Sequence, residues 1–237
     1  MQLDDPLDIE LSRKLFINES RMRSRVHAKA VDKYLGFKTS KIEVKLLQKY
    51  RAYDRYNDET NRKQHFKDSQ TWIGLHPQAL QTPYCDIYQA LLLAKDIDIQ
   101  HVVDIGAGYG RVGIVLNSIF PKATFTGYEI VKQRQQEGNR IYSKLGLENC
   151  NIELKNVLDL DFELPKAEVY FIYDFSEKED IHKILHALSL RSRGDKFYLI
   201  ARGDRVESLI QNIFNETWTQ CLSLEKSDLK IYLTANM

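Results

Sequence analysis

Residues 102–110 read VVDIGAGYG, a short apolar run that ends in three glycines at alternating positions. The run His101–Ile105 is typical of a buried strand, and residues 111–120 have the pattern of a helix. Glycines between the two permit backbone angles that side chains forbid and let a ligand approach the main chain closely. The stretch therefore predicts a strand, a ligand-binding turn and a helix. The three glycines are Gly106, Gly108 and Gly110.

The chain from residue 98 onward alternates short apolar, β-branched runs with helix-like segments, which is typical of a parallel α/β sheet. Four strands are expected after the first, at 124–129, 151–154, 169–173 and 196–201, with helices at 132–145, 178–188 and 205–214. The last two apolar runs, 218–222 and 229–234, are joined by a segment too short for a crossover helix, so they must form an antiparallel hairpin. The pattern predicts five parallel strands closed by a hairpin.

Glu129 ends the second predicted strand, about 20 residues beyond the glycine turn. A carboxylate there can accept hydrogen bonds from both hydroxyls of a ribose, so the turn and Glu129 together predict a nucleoside site. The same spacing also suits NAD. Arg111, however, occupies the place of the last glycine in the GxGxxG dinucleotide motif, which makes a pyrophosphate site less favoured.

Further cofactor candidates lie in and beyond the glycine stretch. Asp104 and Ala107 belong to the stretch itself. Asn156 and Val157 follow the third predicted strand, where a polar and an apolar side chain could meet the edge and the face of adenine. Asp159 is a nearby second candidate, and an ordinary loop after a strand is an equally good interpretation of this segment.

Three sequence motifs resemble those of the class I, seven-β-strand S-adenosylmethionine-dependent methyltransferases over roughly residues 80–237. DIGAGYGRVGI is similar to their first motif, GYE to their second and NVLDLDF to their third. The resemblance implies a Rossmann-like seven-stranded sheet, with strand order 3-2-1-4-5-7-6 and strand 7 antiparallel, and S-adenosyl-L-methionine as cofactor. The closing hairpin fits that sheet better than the six-stranded sheet of dehydrogenases.

The tripeptide TPY at 82–84, together with DIGAGYGRV and GYE, is similar to the non-SET protein lysine methyltransferases. In that group a Thr-Pro segment caps the methionine end of the cofactor, which would place Thr82 and Tyr84 near it. The resemblance implies methyl transfer to lysine side chains of proteins. Two positions depart from the pattern, since Tyr109 and Asn156 stand where acidic residues are usual. There is no NPPY, so amide or adenine N-methylation of that type is not indicated.

Tyr173, Asp174 and Phe175 end the fourth predicted strand, beside the switch point where doubly wound sheets bind ligands. Methyl transfer is an in-line displacement, so alignment of the nucleophile with the methyl group is its main requirement. A lysine acceptor must also lose a proton. Asp174 could attract the ammonium group or relay its proton, while the two aromatic residues could pack on the substrate. The alternative for Asp174 is a carboxylate at a helix N-terminus.

The N-terminal third of the chain is basic. Residues 11–67 contain 16 Lys and Arg against 6 Asp and Glu, and residues 7–66 have a helical pattern. We therefore divide the chain into a helical region, 1–75, and a methyltransferase domain, 76–237. The basic region could hold an acidic protein substrate, form a solvated helical face, or bring a partner to a catalytically silent module. It could also hold RNA through aromatic residues among its cations, namely Tyr50, Tyr53, Tyr56 and Phe66.

Composition excludes several classes of protein. Of the 237 residues, 43% are hydrophobic and 28% are charged, and no apolar run approaches the roughly 18–20 residues that cross a bilayer. The acidic N-terminus has no signal-peptide core, so we expect a cytoplasmic protein. Three cysteines without a CxxC pair indicate neither a disulfide framework nor a zinc site. His182 and His186 are four residues apart, but no third ligand is evident, so no metal is expected.

Overall fold

The protein is described by a computed structural model, which covers residues 9–19, 22–50, 71–94, 96–224 and 227–234. The helices in these ranges are α1 (Ile9–Phe16), α2 (Ser24–Leu35), α3 (Thr39–Lys49), α4 (Tyr84–Leu93), α5 (Arg111–Ile119), α6 (Lys132–Lys144), α7 (Lys178–Arg191) and α8 (Asp204–Ile213). The strands are β1 (His101–Ile105), β2 (Thr124–Glu129), β3 (Cys150–Leu154), β4 (Val169–Tyr173), β5 (Tyr198–Arg202), β6 (Trp218–Ser223) and β7 (Leu229–Thr234).

The strands form one seven-stranded sheet with the order β3-β2-β1-β4-β5-β7-β6. The first five strands run parallel to one another, while β7 pairs antiparallel with both β5 and β6. This is the predicted fold, and the strand order and the antiparallel β7 are both confirmed. Helix α4 was not predicted, and β5 begins two residues later than expected.

Both faces of the sheet are buried, because neighbouring residues of each central strand point in opposite directions. In β1, Val102 belongs to a cluster that includes Leu91 of α4 and Val115 of α5. The next residue, Val103, belongs to a second cluster on the other face, with Leu185 of α7. The helices therefore cover the faces of the sheet and leave the carboxyl ends of its strands free for a site.

Helices α1 and α2 are part of the same core. Phe16 at the end of α1 stacks on the ring of Tyr84, with 5.5 Å between centroids, and Val31 of α2 lies in the cluster that contains Val102. Helix α2 ends at Leu35 and is followed by Gly36 with φ of +83°. The regions 1–75 and 76–237 predicted from the sequence thus share hydrophobic packing wherever the N-terminal helices are described.

Helix α3 presents a different face to the protein from the one its apolar residues suggest. The spacing of Val44 and Leu47 predicts an apolar helix face, but both side chains are exposed. Leu46 and the carboxylate of Glu43 are buried instead. The physical reason is an ion pair, since Glu43 contacts the buried guanidinium of Arg134. Tyr53, Tyr56 and Phe66 of the predicted RNA surface lie outside the described residues.

Candidate functional site

The glycine turn between β1 and α5 adopts backbone angles that favour glycine. Gly106 has φ of +77° and Gly108 has φ of +57°. A Cβ atom on Gly106 would lie 2.5 Å from Cβ of Phe175, so no side chain fits there. A Cβ atom on Gly108 would meet nothing within 4 Å. Gly106 therefore allows β4 to pack closely, whereas Gly108 exposes its main chain to open space.

Glu129 at the end of β2 connects this turn to the start of α6. Its carboxylate accepts hydrogen bonds from the main-chain N–H of Gly108, at 2.9 Å, and of Val131, at 2.7 Å. Burial raises the pKa of Glu129, while the charge of Arg134 and the two N–H groups act in the opposite direction. Burial, and secondly the charge of Glu129, raise the pKa of Asp104 to about 8. Two acidic groups thus share a buried environment beside the turn.

A large cleft lies at the carboxyl ends of the parallel strands. Counting the space open to solvent, it encloses about 1030 Å³. The structure brings eight of the predicted site residues to its wall. They are Gly106, Gly108, Glu129, Asn156, Val157, Tyr173, Asp174 and Phe175.

A second, smaller cavity adjoins the main cleft. Three more of the predicted residues line it, namely Thr82, Asp104 and Ala107. The two cavities share four lining residues, which are Leu80, Gln81, Gly106 and Tyr173. Two buried polar atoms on its lining residues, Nε of Arg202 and Oε1 of Gln81, have no hydrogen-bond partner among the described residues. The cavity therefore combines a buried acid with unused donor and acceptor groups.

Two predicted residues line neither cavity. Gly110 packs against Tyr142, whose hydroxyl donates a hydrogen bond to the carbonyl of Gly110 at 2.6 Å. Tyr84 is fully buried, and its hydroxyl donates to Asp32 at 2.9 Å. It begins α4 and points into the core between the N-terminal helices and the sheet. The resemblance implied a position near the cofactor for Tyr84, but the structure does not bring its side chain to the site.

Asp174 lies on the cleft wall, and its carboxylate is already engaged. Its two oxygens accept hydrogen bonds from the main-chain N–H of Arg205, at 3.2 Å, and of Val206, at 3.0 Å, in the first turn of α8. A Cβ atom on Gly203 would lie 2.3 Å from Cγ of Asp174, so α8 begins in direct contact with this side chain. These contacts match the alternative interpretation of Asp174 as a carboxylate at a helix N-terminus.

The segment 71–81, which the sequence did not indicate as functional, lines the cleft and is held at several points. Arg134 of α6 donates to the carbonyl of Thr71 at 2.8 Å, and Tyr173 of β4 donates to the carbonyl of Ala79 at 2.8 Å. Its Trp72, with φ of +53°, packs under the guanidinium of Arg205 at 4.7 Å. Because two of these bonds end on main-chain carbonyls, no side-chain pattern in the segment could have revealed them.

Lys155, Leu158, Tyr128 and Ile130 also line the main cleft, although they were not predicted to do so. Tyr128 and Ile130 flank Glu129 in the sequence, and the other two flank the Asn156–Val157 pair. Because each of the four lies next to a predicted site residue at the end of a predicted strand, the sequence contains the signal that would identify it. Arg134 and Arg205 carried no comparable signal.

Comparison with known proteins bears on the fold. No protein-family model matches the sequence, and no curated protein matches it. Among solved structures, TrmN from Thermus thermophilus is similar with 12% identity and a TM-score of 0.51, over 67% of this chain and 50% of that one. The putative methyltransferase yhhF from Escherichia coli has 15% identity and a TM-score of 0.51, over 64% and 88%. The chain has the Rossmann-like methyltransferase fold.

A third structure extends the same comparison. Precorrin-6y C5,15-methyltransferase from Geobacter metallireducens GS-15 has 15% identity and a TM-score of 0.50, over 65% of this chain and 89% of that one. Other matched chains are longer, and this chain spans only 40% to 52% of their length. At such identities these comparisons show a shared fold, and the function has to be argued from the site.

The described residues hold neither a metal-binding cluster nor a membrane-spanning helix. No group of three or more His, Cys, Asp or Glu side chains that could hold a metal ion occurs among them. The rings of His182 and His186 stack at 6.4 Å on α7, which lies against the sheet face. None of the helices in the described ranges has the length and apolar character needed to cross a membrane.

Proposed function

We propose that the protein is an S-adenosylmethionine-dependent methyltransferase. The observation that carries this proposal is the position of Glu129, whose carboxylate is fixed by two main-chain N–H groups at the wall of a cleft. The same cleft continues past Gly106 to Tyr173, Asp174 and Phe175. An acidic group for a ribose and an open region for a second reactant are therefore parts of one space.

The main cleft suits a nucleoside. Glu129 would accept hydrogen bonds from the ribose hydroxyls, because each of its oxygens has a second lone pair beyond the one used by the main chain. Ile130, Val157 and Leu158 offer apolar surface to a purine ring. Asn156 would offer a polar edge, although its Oδ1 already accepts from the N–H of Leu158 at 3.1 Å.

The second cavity suits an amino-acid end. Asp104 would accept from an ammonium group, and a cation beside it would favour its ionised form. Nε of Arg202 is an unused donor for a carboxylate, and Oε1 of Gln81 is an unused acceptor. S-adenosylmethionine carries a nucleoside and an amino-acid group on one sulfur atom, so it matches two joined cavities of this kind better than a dinucleotide does.

When bound, this cofactor supplies an electrophilic methyl group on a sulfonium. The residues of the chain would align an acceptor with it and exclude water. Tyr173 lines both cavities and Phe175 lines the main cleft, and the hydroxyl of Tyr173 donates a hydrogen bond to the carbonyl of Ala79. We assign both aromatic side chains to packing of the reactants.

For the acceptor, we propose a lysine side chain of a protein, as the resemblance implies. Tyr173 and Phe175 would pack along its methylene groups. The carboxylate of Asp174 lies on the same wall and would attract the ammonium group by its charge. Because both of its oxygens already accept N–H groups of α8, Asp174 has a weaker claim as the base that removes the proton.

An RNA acceptor is the second candidate, and the charge of the cleft supports it. Lys155, Arg134 and Arg205 line the cleft, and residues 11–67 add a large excess of cations. Arg202 and Arg205 already cover the rings of Tyr173 and Trp72, at 4.7 Å each, so the aromatic faces that a substrate ammonium group could use are partly taken. Phosphate groups would be attracted where an ammonium group would meet repulsion.

Two measurements test these proposals. Calorimetry with S-adenosylhomocysteine should show binding on the order of micromolar, and no binding to this product cofactor would contradict the methyltransferase proposal. Tritiated S-adenosylmethionine added to cell extract with the protein should then label an acceptor. Label removed by protease alone supports a protein acceptor, label removed by ribonuclease alone supports RNA, and tight binding without any label would indicate a catalytically silent module.

A further inference from the structure

The glycine turn and the first residue of α5 are attached to the N-terminal helices. The hydroxyl of Tyr109 donates to Glu43 of α3 at 2.7 Å. Nε of Arg111 donates to Asp32 of α2 at 3.1 Å. All four side chains are buried. Both positions depart from known motifs. Tyr109 stands where the resembled family usually has an acidic residue, and Arg111 stands where the dinucleotide motif has its last glycine.

Glu43 has a second partner that lines the main cleft. Nε and Nη2 of Arg134 donate to its two oxygens at 2.8 Å and 3.0 Å, in a bidentate pair. The remaining nitrogen, Nη1, donates to the carbonyl of Thr71 at 2.8 Å. Both side chains of the pair are 6% exposed. A bidentate pair removed from water is held in one geometry, so Glu43 determines where the guanidinium of Arg134 points.

Arg134 is also close to the proposed ribose carboxylate. Its positive charge acts on Glu129, and the charge of Glu129 in turn helps to raise the pKa of Arg134. No hydrogen bond joins the two side chains in the described structure, because each guanidinium nitrogen of Arg134 donates to Glu43 or Thr71. Glu129 consequently receives favourable charge from Arg134 without giving up an oxygen to it.

We propose that Glu43 is a positioning residue of the nucleoside subsite, which keeps Arg134 away from Glu129 so that the Glu129 oxygens remain available to ribose hydroxyls. This inference rests on the proposed function, since it assumes a ribose at Glu129. It makes the N-terminal helical region a working part of the binding site. Without the charge of Glu43, the guanidinium has a neighbouring carboxylate, Glu129, as its best remaining partner.

The test compares two ligands by calorimetry, S-adenosylhomocysteine and its 2′,3′-dideoxyribose analogue. The ratio of their affinities reports ribose recognition alone. In Glu43→Gln, which keeps the size of the side chain and removes its charge, we expect the ratio to fall by about tenfold, the equivalent of roughly 1.4 kcal/mol. The affinity for the dideoxy analogue should change by less than about twofold.

The matched control is Asp32→Asn. It also neutralises a buried carboxylate that pairs an N-terminal helix with an arginine beside the glycine turn, but Arg111 does not line the main cleft. This variant should have a lower Tm and the ligand ratio of the wild type. An equal loss of both affinities in Glu43→Gln, with an unchanged ratio, would overturn the proposal and leave Glu43 a structural role only.

The double variant Glu43→Gln/Arg134→Met covers the case in which Glu43→Gln does not fold. Replacing both partners of a buried pair is often tolerated, whereas removing one leaves an uncompensated charge. With no guanidinium to compete for Glu129, the double variant should have the wild-type ratio of the two affinities. A ratio as low as the one expected for Glu43→Gln would contradict the proposal. If the wild-type protein binds neither ligand, the proposed function fails instead, so the two failures are distinguishable.

Discussion

Glu129 and Asp174 occupy comparable places in the fold. Glu129 is the last residue of β2, and Asp174 directly follows β4. Each lines the main cleft, and each accepts hydrogen bonds from two main-chain N–H groups. The two carboxylates differ in which N–H groups donate to them. The donors to Glu129 belong to the glycine turn and to the residue before α6, whereas those to Asp174 belong to the first turn of α8.

From this difference we infer that Glu129 acts mainly on the ligand and Asp174 mainly on the fold. The first N–H groups of a helix have no partner within the helix, and Asp174 supplies one to α8. Asp174 therefore stabilises the N-terminus of α8, where Arg205 packs over the ring of Trp72. Glu129 instead fixes two loops that face the cleft. We infer that a carboxylate at a strand end indicates the ligand-binding edge of a sheet, and that the N–H groups bound to it indicate whether it acts on the ligand or on the fold.

The largest effect that would separate the two carboxylates is expected for Glu129→Ala. Loss of charge-assisted bonds to ribose should weaken S-adenosylhomocysteine binding by about thirty- to hundredfold, or roughly 2–3 kcal/mol, in calorimetry. Glu153→Ala is the control, since Glu153 is an exposed glutamate paired in register with Tyr128 on the neighbouring strand. Equal affinity in Glu129→Ala would remove Glu129 from the site and with it the contrast to Asp174.

Asp104 extends the comparison to a carboxylate whose charge the protein disfavours. Its pKa is raised to about 8 from an ordinary value near 4, so the folded state holds a proton in this interval that the unfolded state has lost. The stability from this proton is complete below about pH 4 and is lost as the pH rises through about 8.

Wild-type Tm should therefore fall between pH 5 and pH 9 relative to Asp104→Asn, which has no such proton to lose. We expect a difference of about 4 °C or more, since 1 kcal/mol corresponds to roughly 2–4 °C in a chain of this size. Thermal unfolding of both proteins at the two pH values measures it. Parallel Tm profiles would show that Asp104 is already ionised at pH 5.

The sheet and the nucleoside end of the cleft could be predicted because local patterns determine them. The short connection between β6 and β7 requires an antiparallel hairpin, and the glycine turn followed by Glu129 marks one edge of the sheet. Strand boundaries follow from runs of β-branched residues in the same way. These features depend on residues that are close in sequence or on general rules of chain connection.

The partners of the turn could not be predicted, since they are distant in sequence. Glu43 is 91 residues from Arg134, and Asp32 is 79 from Arg111. One signal was available in principle, because a tyrosine and an arginine beside a buried glycine turn need partners for their polar groups. The sequence shows that need at Tyr109 and Arg111, but many acidic residues could meet it.

The smallest effect is expected for Asp174→Ala, and it should appear in stability before binding. Loss of a helix N-terminal acceptor costs about 0.5–2 kcal/mol, so Tm should fall by roughly 2–4 °C for each kcal/mol lost. S-adenosylhomocysteine affinity should stay within about twofold. Asp204→Ala is the control, because this exposed acid belongs to the same turn of α8 without accepting its N–H groups. If Asp174→Ala instead abolished methyl transfer at an unchanged Tm, its charge would serve the acceptor directly, and the two carboxylates would be alike in function as well as in place.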